Sequence, residues 1–295
     1  MSSRGVTFFL RLASTFWLWG GVVLAMVVGQ DWLFFGLIFT TAMVALREYF
    51  GLVRIQGVPV FTLTGMVCAA VYLVSSFFLL RERAGDLMGG IEFGVLVAFL
   101  YVVFLRQMAH RSAEREPFEA MAYTVFGLLY IPWLFNFLTK ILFLAPRGEE
   151  GATTGQYYLV FLLVVTKFSD MGAYAFGSLF GRHQFVPHVS PNKTWEGVFG
   201  AVVSSLIGGY WFYGNFAGKL GALRFEDVTL LGILLGLVAV VGDLAESIIK
   251  RSAQVKDSSG ILPGIGGTMD LIDSVLFTAP LFYFYLWAVA GSTEP

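Results

Sequence analysis

Long apolar stretches separated by short polar segments run through the whole chain. A helix needs roughly 17–25 apolar residues to cross a bilayer. Nine candidate stretches lie at 8–28, 33–46, 59–80, 87–105, 119–144, 157–180, 195–214, 227–249 and 272–291. None has the weak alternating pattern of a membrane β-barrel, and none of the intervening loops is long enough for a soluble domain. The pattern predicts an all-α, polytopic integral membrane protein with about nine transmembrane helices.

The composition agrees with this prediction. Hydrophobic residues make up 57% of the 295 residues and charged residues only 13%, whereas a soluble domain carries roughly 25% charged residues. Phe16–Val28 follows two arginines but has no small-residue cleavage site after it, so we interpret it as a retained helix rather than a signal peptide. The net charge of −1 and the lack of a basic tail give no indication of a nucleic-acid partner.

The distribution of Lys and Arg predicts an orientation. With nine spans, roughly two thirds of these residues lie on one side, which the positive-inside rule assigns to the cytoplasm. The N-terminus and the segments 181–194 and 250–271 are on that side, so we expect a multi-pass protein of the inner (plasma) membrane with its polar loops in the cytoplasm. We predict two domains, an N-terminal one of about five helices at 1–150 and a catalytic one at 151–295.

The eighth stretch carries charged residues at helical spacing. Asp243, Glu246, Ser247 and Lys250 recur three or four residues apart and share one helix face, with Arg251 beside them. Ionisable residues at membrane depth are costly and mark functional sites by default. Two interpretations are open: a ligand-binding face, or an internal salt-bridge ladder such as Glu246 with Lys250.

A loop rich in charge and glycine follows this stretch. Its candidate site residues are Lys256, Asp257, Gly264, Gly266 and Gly267. Such glycines permit positive φ and close approach of a ligand, and their amides can form an anion-binding concavity. The loop leads into Asp270 and Asp273, one helical turn apart. With Asp243 they supply three carboxylates, the oxygen ligands that Mg²⁺ prefers. Taken alone, the glycines are more typical of an ordinary tight turn.

A third polar segment precedes the seventh stretch. It contains Ser190, Pro191, Asn192, Lys193, Thr194 and Glu196. Pro191 and Asn192 favour a turn, and Lys193 and Thr194 can hold phosphate oxygens near a helix N-terminus, whose field favours anions. The alternative is a capping arrangement without a ligand.

The sixth stretch contains polar residues within its apolar sequence. Lys167, Asp170 and Tyr174 lie on one face at spacings of three, four and seven residues. Lys167 and Asp170 are either a buried ion pair or part of a site, and their membrane position favours function.

Together, these segments resemble the phosphatidate cytidylyltransferase family, also called CDP-diacylglycerol synthases. The signature is matched by Ser247, Lys250-Arg251, Lys256-Asp257, Leu262-Pro263-Gly264, Gly266-Gly267, Asp270 and Asp273. Two companion motifs are matched by Ser190–Thr194 with Glu196-Gly197, and by Gly242–Leu244 with Glu246-Ser247. Ile265 and Leu271 depart from the pattern, since the family usually has His and Arg at these positions.

The resemblance implies the reaction of CTP with phosphatidate to give CDP-diacylglycerol and pyrophosphate. Mg²⁺ would be held by Asp243, Asp270 and Asp273, and a second monovalent or divalent cation is compatible with the site. Lys250, Arg251 and Lys256 would join these acids as catalytic residues. The implied substrate-binding residues are Asp170, Tyr174, Ser190, Asn192, Lys193, Thr194, Glu196, Glu246, Ser247, Asp257, Gly264, Gly266 and Gly267. A homo-oligomer is also compatible with the sequence.

Three alternatives follow from the same residues. A catalytically silent relative would explain Ile265 and Leu271, and would bind CTP without releasing pyrophosphate. A cation-coupled transporter would explain buried acids, although no internal repeat supports it. A phosphotransferase that joins CDP-lipids to alcohols would need an Asp-Gly-x-x-Ala-Arg core, which the sequence lacks.

Overall fold

The computed structural model describes residues 19–82, 85–109, 117–144, 155–255, 258–259 and 266–291. Nearly all of them are helical, which confirms the all-α prediction. The helices are α1 (Trp19–Val28), α2 (Asp31–Ile55), α3 (Thr62–Arg81), α4 (Gly85–Ala109), α5 (Pro117–Leu128), α6 (Phe137–Leu144), α7 (Gly155–Phe180), α8 (Trp195–Phe216), α9 (Phe225–Ser252) and α10 (Thr268–Gly291).

Seven helical segments within the described residues are long and apolar enough to span a membrane. They are α2, α3, Gly90–Ala109 of α4, the continuous segment Pro117–Leu144, α7, α9 and Thr268–Val289 of α10. The described part of the first predicted span, α1, is shorter, and α8 is outside this group of seven. The chain is therefore a multi-pass membrane protein. The α2 helix extends well beyond the predicted stretch 33–46 and so includes Glu48.

Prolines and charged residues explain several helix boundaries. Pro117 opens α5, where its missing N–H costs nothing, and Pro132 lies in the π-helical turn Leu129–Trp133 that joins α5 to α6. Acidic residues lie in the first turn of α9 and Lys250 and Arg251 in its last turn, as the helix dipole favours.

One local prediction is wrong. Pro191 and Asn192 were expected to form a turn, but they lie within strand β2 (Ser190–Thr194), which pairs antiparallel with β1 (Gln184–Val186). The turn lies at 187–189 instead. Four polar residues and a proline do not resemble a strand, and only the pairing with β1 makes this segment one.

The chain divides into two compact units. Unit 1 consists of the described residues within Met1–Gly21, Trp32–Thr139 and Ser252–Leu271, and unit 2 of Val22–Asp31, Lys140–Arg251 and Ile272–Pro295. The core of unit 1 includes the fully buried aromatic residues Tyr49, Phe50, Tyr72 and Phe77. The described residues between α9 and α10 thus pack with the N-terminal helices.

Small residues allow close helix packing in unit 2. A Cβ at Gly172 of α7 would lie 2.2 Å from Ser204 Oγ and 2.3 Å from the Gly200 carbonyl oxygen of α8. Because Gly172 and Gly200 have no side chains, the two helix backbones come into contact there, as is common between membrane helices. This contact holds β2 and the start of α8 near the polar face of α7.

Candidate active site

A group of acids and lysines lies within unit 2, and we call it the acid–lysine cluster: Lys167, Asp170, Lys193, Asp243, Asp273 and Ser274. Lys193 Nζ from β2 contacts Asp243 Oδ2 from α9, and both side chains are partly exposed. This ion pair brings two sequence motifs that are 50 residues apart into direct contact.

The second half of the cluster joins α7 to α10. Lys167 Nζ donates to Asp170 Oδ2 at 2.8 Å, and Ser274 Oγ donates to Asp170 Oδ1 at 2.8 Å. The Asp273 side chain is only 5% exposed, and its Oδ1 accepts a hydrogen bond from the Ser274 backbone N–H at 2.5 Å. The charges of Asp170, Lys167 and Asp243 all act on the Asp273 carboxyl. The structure thus confirms the ion pair of Lys167 and Asp170, and this pair is part of the polar cluster.

Gly242 sets the separation of α9 and α10 at this cluster. A Cβ there would lie 2.6 Å from the Asp273 carbonyl oxygen and 2.9 Å from Ser274 Cα, distances that no real Cβ tolerates. Only glycine lets the two backbones come this close, and Asp243 is the next residue. The Gly-Asp pair of the sequence therefore places one carboxylate beside another.

The donors of the cluster suit a divalent cation. The cluster contains three carboxylates and one hydroxyl against two ammonium groups, so negative charge is in excess. All the groups that could bind a cation are oxygens, the ligand atoms that Mg²⁺ prefers. No group of three or more His, Cys, Asp or Glu side chains among the described residues has an arrangement that could hold a metal by itself. Mg²⁺ usually takes only one or two carboxylates and completes its shell with water and substrate phosphates. Asp243 and Asp273 fit that requirement.

Unit 1 contains a second polar group, centred on Glu48 of α2. This glutamate is only 5% exposed. It accepts hydrogen bonds from the backbone N–H groups of Thr268 at 2.9 Å and Met269 at 2.8 Å, and from Ser259 Oγ at 2.5 Å. The sequence prediction missed Glu48, although an acid within an apolar helix is the signal that was used for the later helices.

Asp270 holds the segment that precedes its own helix. Its Oδ2 accepts hydrogen bonds from the backbone N–H of Ser258 at 3.0 Å, from Ser258 Oγ at 2.6 Å and from the backbone N–H of Gly267 at 2.7 Å. Gly266 has φ = 116°, which only glycine adopts readily. The amide of Gly267 therefore faces a protein carboxylate, whereas the sequence had predicted an anion-binding concavity.

The basic end of α9 contains the predicted salt bridge. Lys250 Nζ lies 2.5 Å from Glu246 Oε2, and the Glu246 side chain is fully buried. Ser247 is also buried, whereas Arg251 is exposed. The structure thus supports the salt-bridge interpretation of Glu246 and Lys250.

The strand pair holds the remaining residues of the third segment. Thr194 caps α8, since its Oγ1 accepts a hydrogen bond from the Gly197 N–H at 3.1 Å. Glu196 Oε1 pairs with His183 Nδ1 at 2.6 Å, and this hydrogen bond, together with backbone N–H donors, lowers the pKa of Glu196 to about 2. Glu196 is therefore an anion at neutral pH and fixes the strand pair. Ser190 and Asn192 lie on β2.

Other predicted residues lie away from these groups or outside the described chain. Tyr174 is 77% exposed on α7, and none of the contacts described above involves it. Lys256, Asp257 and Gly264 lie outside the described residues, as does Ile265. Their predicted roles stay predictions.

Comparison with known proteins agrees with the motifs. The model of the cytidylyltransferase family matches residues 9–289. A phosphatidate cytidylyltransferase of Staphylococcus haemolyticus is 31% identical over 83% of this chain and 86% of its own length, and one of Staphylococcus aureus is 32% identical over 83% and 86%. An uncharacterized protein, YnbB of Escherichia coli, is 34% identical over 91% of this chain and 85% of its own length.

Proposed function

Because this chain belongs to the cytidylyltransferase family, and is thus a nucleotidyltransferase, we propose that it transfers the cytidylyl group of CTP to phosphatidate. The products are CDP-diacylglycerol and pyrophosphate. The observation that carries this proposal is the acid–lysine cluster, in which Lys193 of one family motif contacts Asp243 of another. The named relatives support the choice of phosphatidate as the acceptor.

The reaction requires positioning of charge more than a covalent intermediate. An oxygen of the phosphatidate phosphate attacks the α-phosphorus of CTP, the bond from that phosphorus to the bridging oxygen of the β-phosphate breaks, and pyrophosphate leaves with the bonding electrons. The attacking oxygen is already anionic and needs no general base. The barrier arises mainly from bringing two anions together, which fixed cations lower.

The residues of the cluster have distinct roles in this scheme. Lys193 and Lys167 neutralise phosphate charge. Ser274 keeps the Asp170 side chain in place through its hydroxyl and the Asp273 side chain through its backbone N–H. Asp243 and Asp273 would hold Mg²⁺, and the sequence adds Asp270, one turn before Asp273 on α10. When bound, the ion would offset charge on the substrate phosphates.

The location of the substrates also fits this membrane protein. Phosphatidate keeps its acyl chains in the bilayer and its phosphate at the interface, so its phosphate must meet CTP at helix ends. Lys193 precedes α8, and Asp273 lies near the start of α10. With the Lys and Arg distribution, this supports a cytoplasmic site in the inner (plasma) membrane.

The direct test is transfer of label from CTP into lipid. Purified full-length protein in detergent is given labelled CTP and phosphatidate, with and without Mg²⁺. We expect Mg²⁺-dependent label in the lipid phase and an equal amount of pyrophosphate. CTP binding by folded protein without pyrophosphate release would instead identify a catalytically silent relative, whereas transfer would show that Ile265 and Leu271 are tolerated.

Gly242→Ala tests the close approach of α9 and α10. The added Cβ would lie 2.6 Å from the Asp273 carbonyl oxygen, so the helices must separate. We expect a loss of roughly 1–3 kcal/mol of stability from overpacking and a fall in transfer of about 10²-fold from misplaced carboxylates. The matched control is Gly214→Ala on α8, where a Cβ meets nothing within 4 Å. Equal transfer rates in the two variants would contradict the assigned role of Gly242.

A further inference from the structure

We propose that Glu48 is a positioning residue that fixes the ends of the segment 258–270, and through it Asp270, for catalysis. The inference rests on the proposed function, because Asp270 belongs to its predicted metal ligands. Glu48 lies on α2, more than 200 residues before Asp270 in the sequence, and both residues belong to unit 1.

The hydrogen bonds of Glu48 reach both ends of the glycine loop. Ser259 Oγ, which donates at 2.5 Å, lies before the loop, and the donating N–H groups of Thr268 and Met269 lie after it. One carboxylate therefore holds the two ends of the loop together. A buried carboxylate in an apolar helix is stable only with such donors.

Glu48 also occupies the N-terminus of α10. The N–H groups of Thr268 and Met269 belong to the first turn of this helix, where backbone donors have no partner within the helix. Such a position commonly binds a phosphate. Here the glutamate takes that place, so Thr268 and Met269 contribute to the site by fixing α10 rather than by binding substrate.

Contacts at Ser258 and Gly267 connect Glu48 to Asp270. The Ser258 hydroxyl lies 2.6 Å from Asp270 Oδ2 and 3.4 Å from Glu48 Oε2. A Cβ at Gly267 would lie 1.9 Å from Ser258 Oγ and 2.7 Å from Glu48 Oε2, so only glycine fits between them. A displacement of the Glu48 carboxylate must therefore move the groups that hold Asp270.

Glu48→Gln tests this role with little change in volume. Oε1 of Glu48 accepts the Thr268 N–H and Oε2 accepts the Met269 N–H. The amide of Gln has only one oxygen, so in either orientation its NH₂ group faces a backbone N–H. One hydrogen bond is lost and two donors oppose each other.

We expect two measurable changes in E48Q. Without Mg²⁺ or substrate, amide hydrogen exchange at 266–270 should be about fivefold faster, since a lost hydrogen bond is worth about 1 kcal/mol. The Mg²⁺ concentration for half-maximal transfer should rise by about 10- to 100-fold, as for other residues that orient metal ligands. A mere loss of folded protein would lower the maximal rate but leave this concentration unchanged.

Two further variants serve as controls. Glu92→Gln neutralises another acid of unit 1, one that accepts a hydrogen bond from Tyr72 OH at 3.0 Å, and should change neither measurement. Ser259→Ala removes one donor to Glu48 and should give a smaller change of the same kind, which keeps the test open if E48Q does not fold.

The outcomes separate this inference from the proposed function. Unchanged exchange at 266–270 in E48Q and S259A would overturn it, and so would faster exchange with an unchanged Mg²⁺ requirement, which indicates a purely structural contact. A wild-type protein that transfers no label would overturn the proposed function, while the exchange rates would still decide whether Glu48 fixes the loop.

Discussion

Replacing Asp243 with Asn is expected to reduce cytidylyl transfer on the order of 10³-fold, the largest loss from any single change in this protein. The variant keeps the shape of the side chain but removes its charge. Asp243 contacts Lys193 and acts electrostatically on Asp273, so the change affects both the proposed metal site and the lysine that faces it. Label transfer and pyrophosphate release, measured at saturating CTP, check the expectation.

Asp227→Asn is the matched control on the same helix. Asp227 accepts hydrogen bonds from the Arg224 N–H at 2.6 Å and from Tyr285 OH at 2.6 Å, and it lies in the first turn of α9, four helical turns before Asp243. We expect its transfer rate to stay near that of the wild type. If D243N and D227N behaved alike, Asp243 would have no special part in the reaction.

Asp270→Asn should lower transfer by about 10²- to 10³-fold while leaving the loop in place. All three described donors to Asp270, from Ser258 and Gly267, converge on Oδ2. An Asn with its oxygen at this position keeps these three hydrogen bonds and removes the charge. The variant therefore removes the carboxylate charge while keeping the three hydrogen bonds that hold the loop. Glu48→Gln cannot make this distinction, because it removes a charge and a hydrogen bond together.

Amide exchange and transfer rate together test this expectation. Exchange at 266–267 should match the wild type while transfer falls. If D270N transfers label at the wild-type rate, the carboxylate charge at Asp270 is dispensable and the residue serves only to hold the loop. Asp270→Ala, which loses charge and hydrogen bonds alike, should show both faster exchange and low transfer.

The motif-based predictions succeeded where function depends on a short segment of chain. The resemblance to the phosphatidate cytidylyltransferase family is confirmed by the match over 9–289. The polar and charged face of α9 was predicted from the spacing of its residues, and its Glu246–Lys250 salt bridge follows from that spacing. Hydrophobic length also predicted most spans, because a bilayer imposes a minimum length on any helix that crosses it.

The predictions failed where a residue depends on a distant partner. The second stretch was predicted to end at 46, because Arg47 and Glu48 interrupt its apolar sequence. In the structure α2 continues to Ile55, and Glu48 is satisfied by donors from 258–269. Likewise, Ser190–Thr194 became a strand only through pairing with Gln184–Val186.

The sequence alone determined the membrane class and the family, and it supplied the acids and lysines that we propose carry the chemistry, because these depend on composition and on short-range spacing. Only the tertiary structure decided which of them meet. Lys193 faces Asp243, and Ser274 donates to Asp170 through its hydroxyl and to Asp273 through its backbone N–H. Glu48 accepts hydrogen bonds from Ser259, Thr268 and Met269. The physical reason is that a buried charge needs partners in space, and helix packing through residues such as Gly242 selects them.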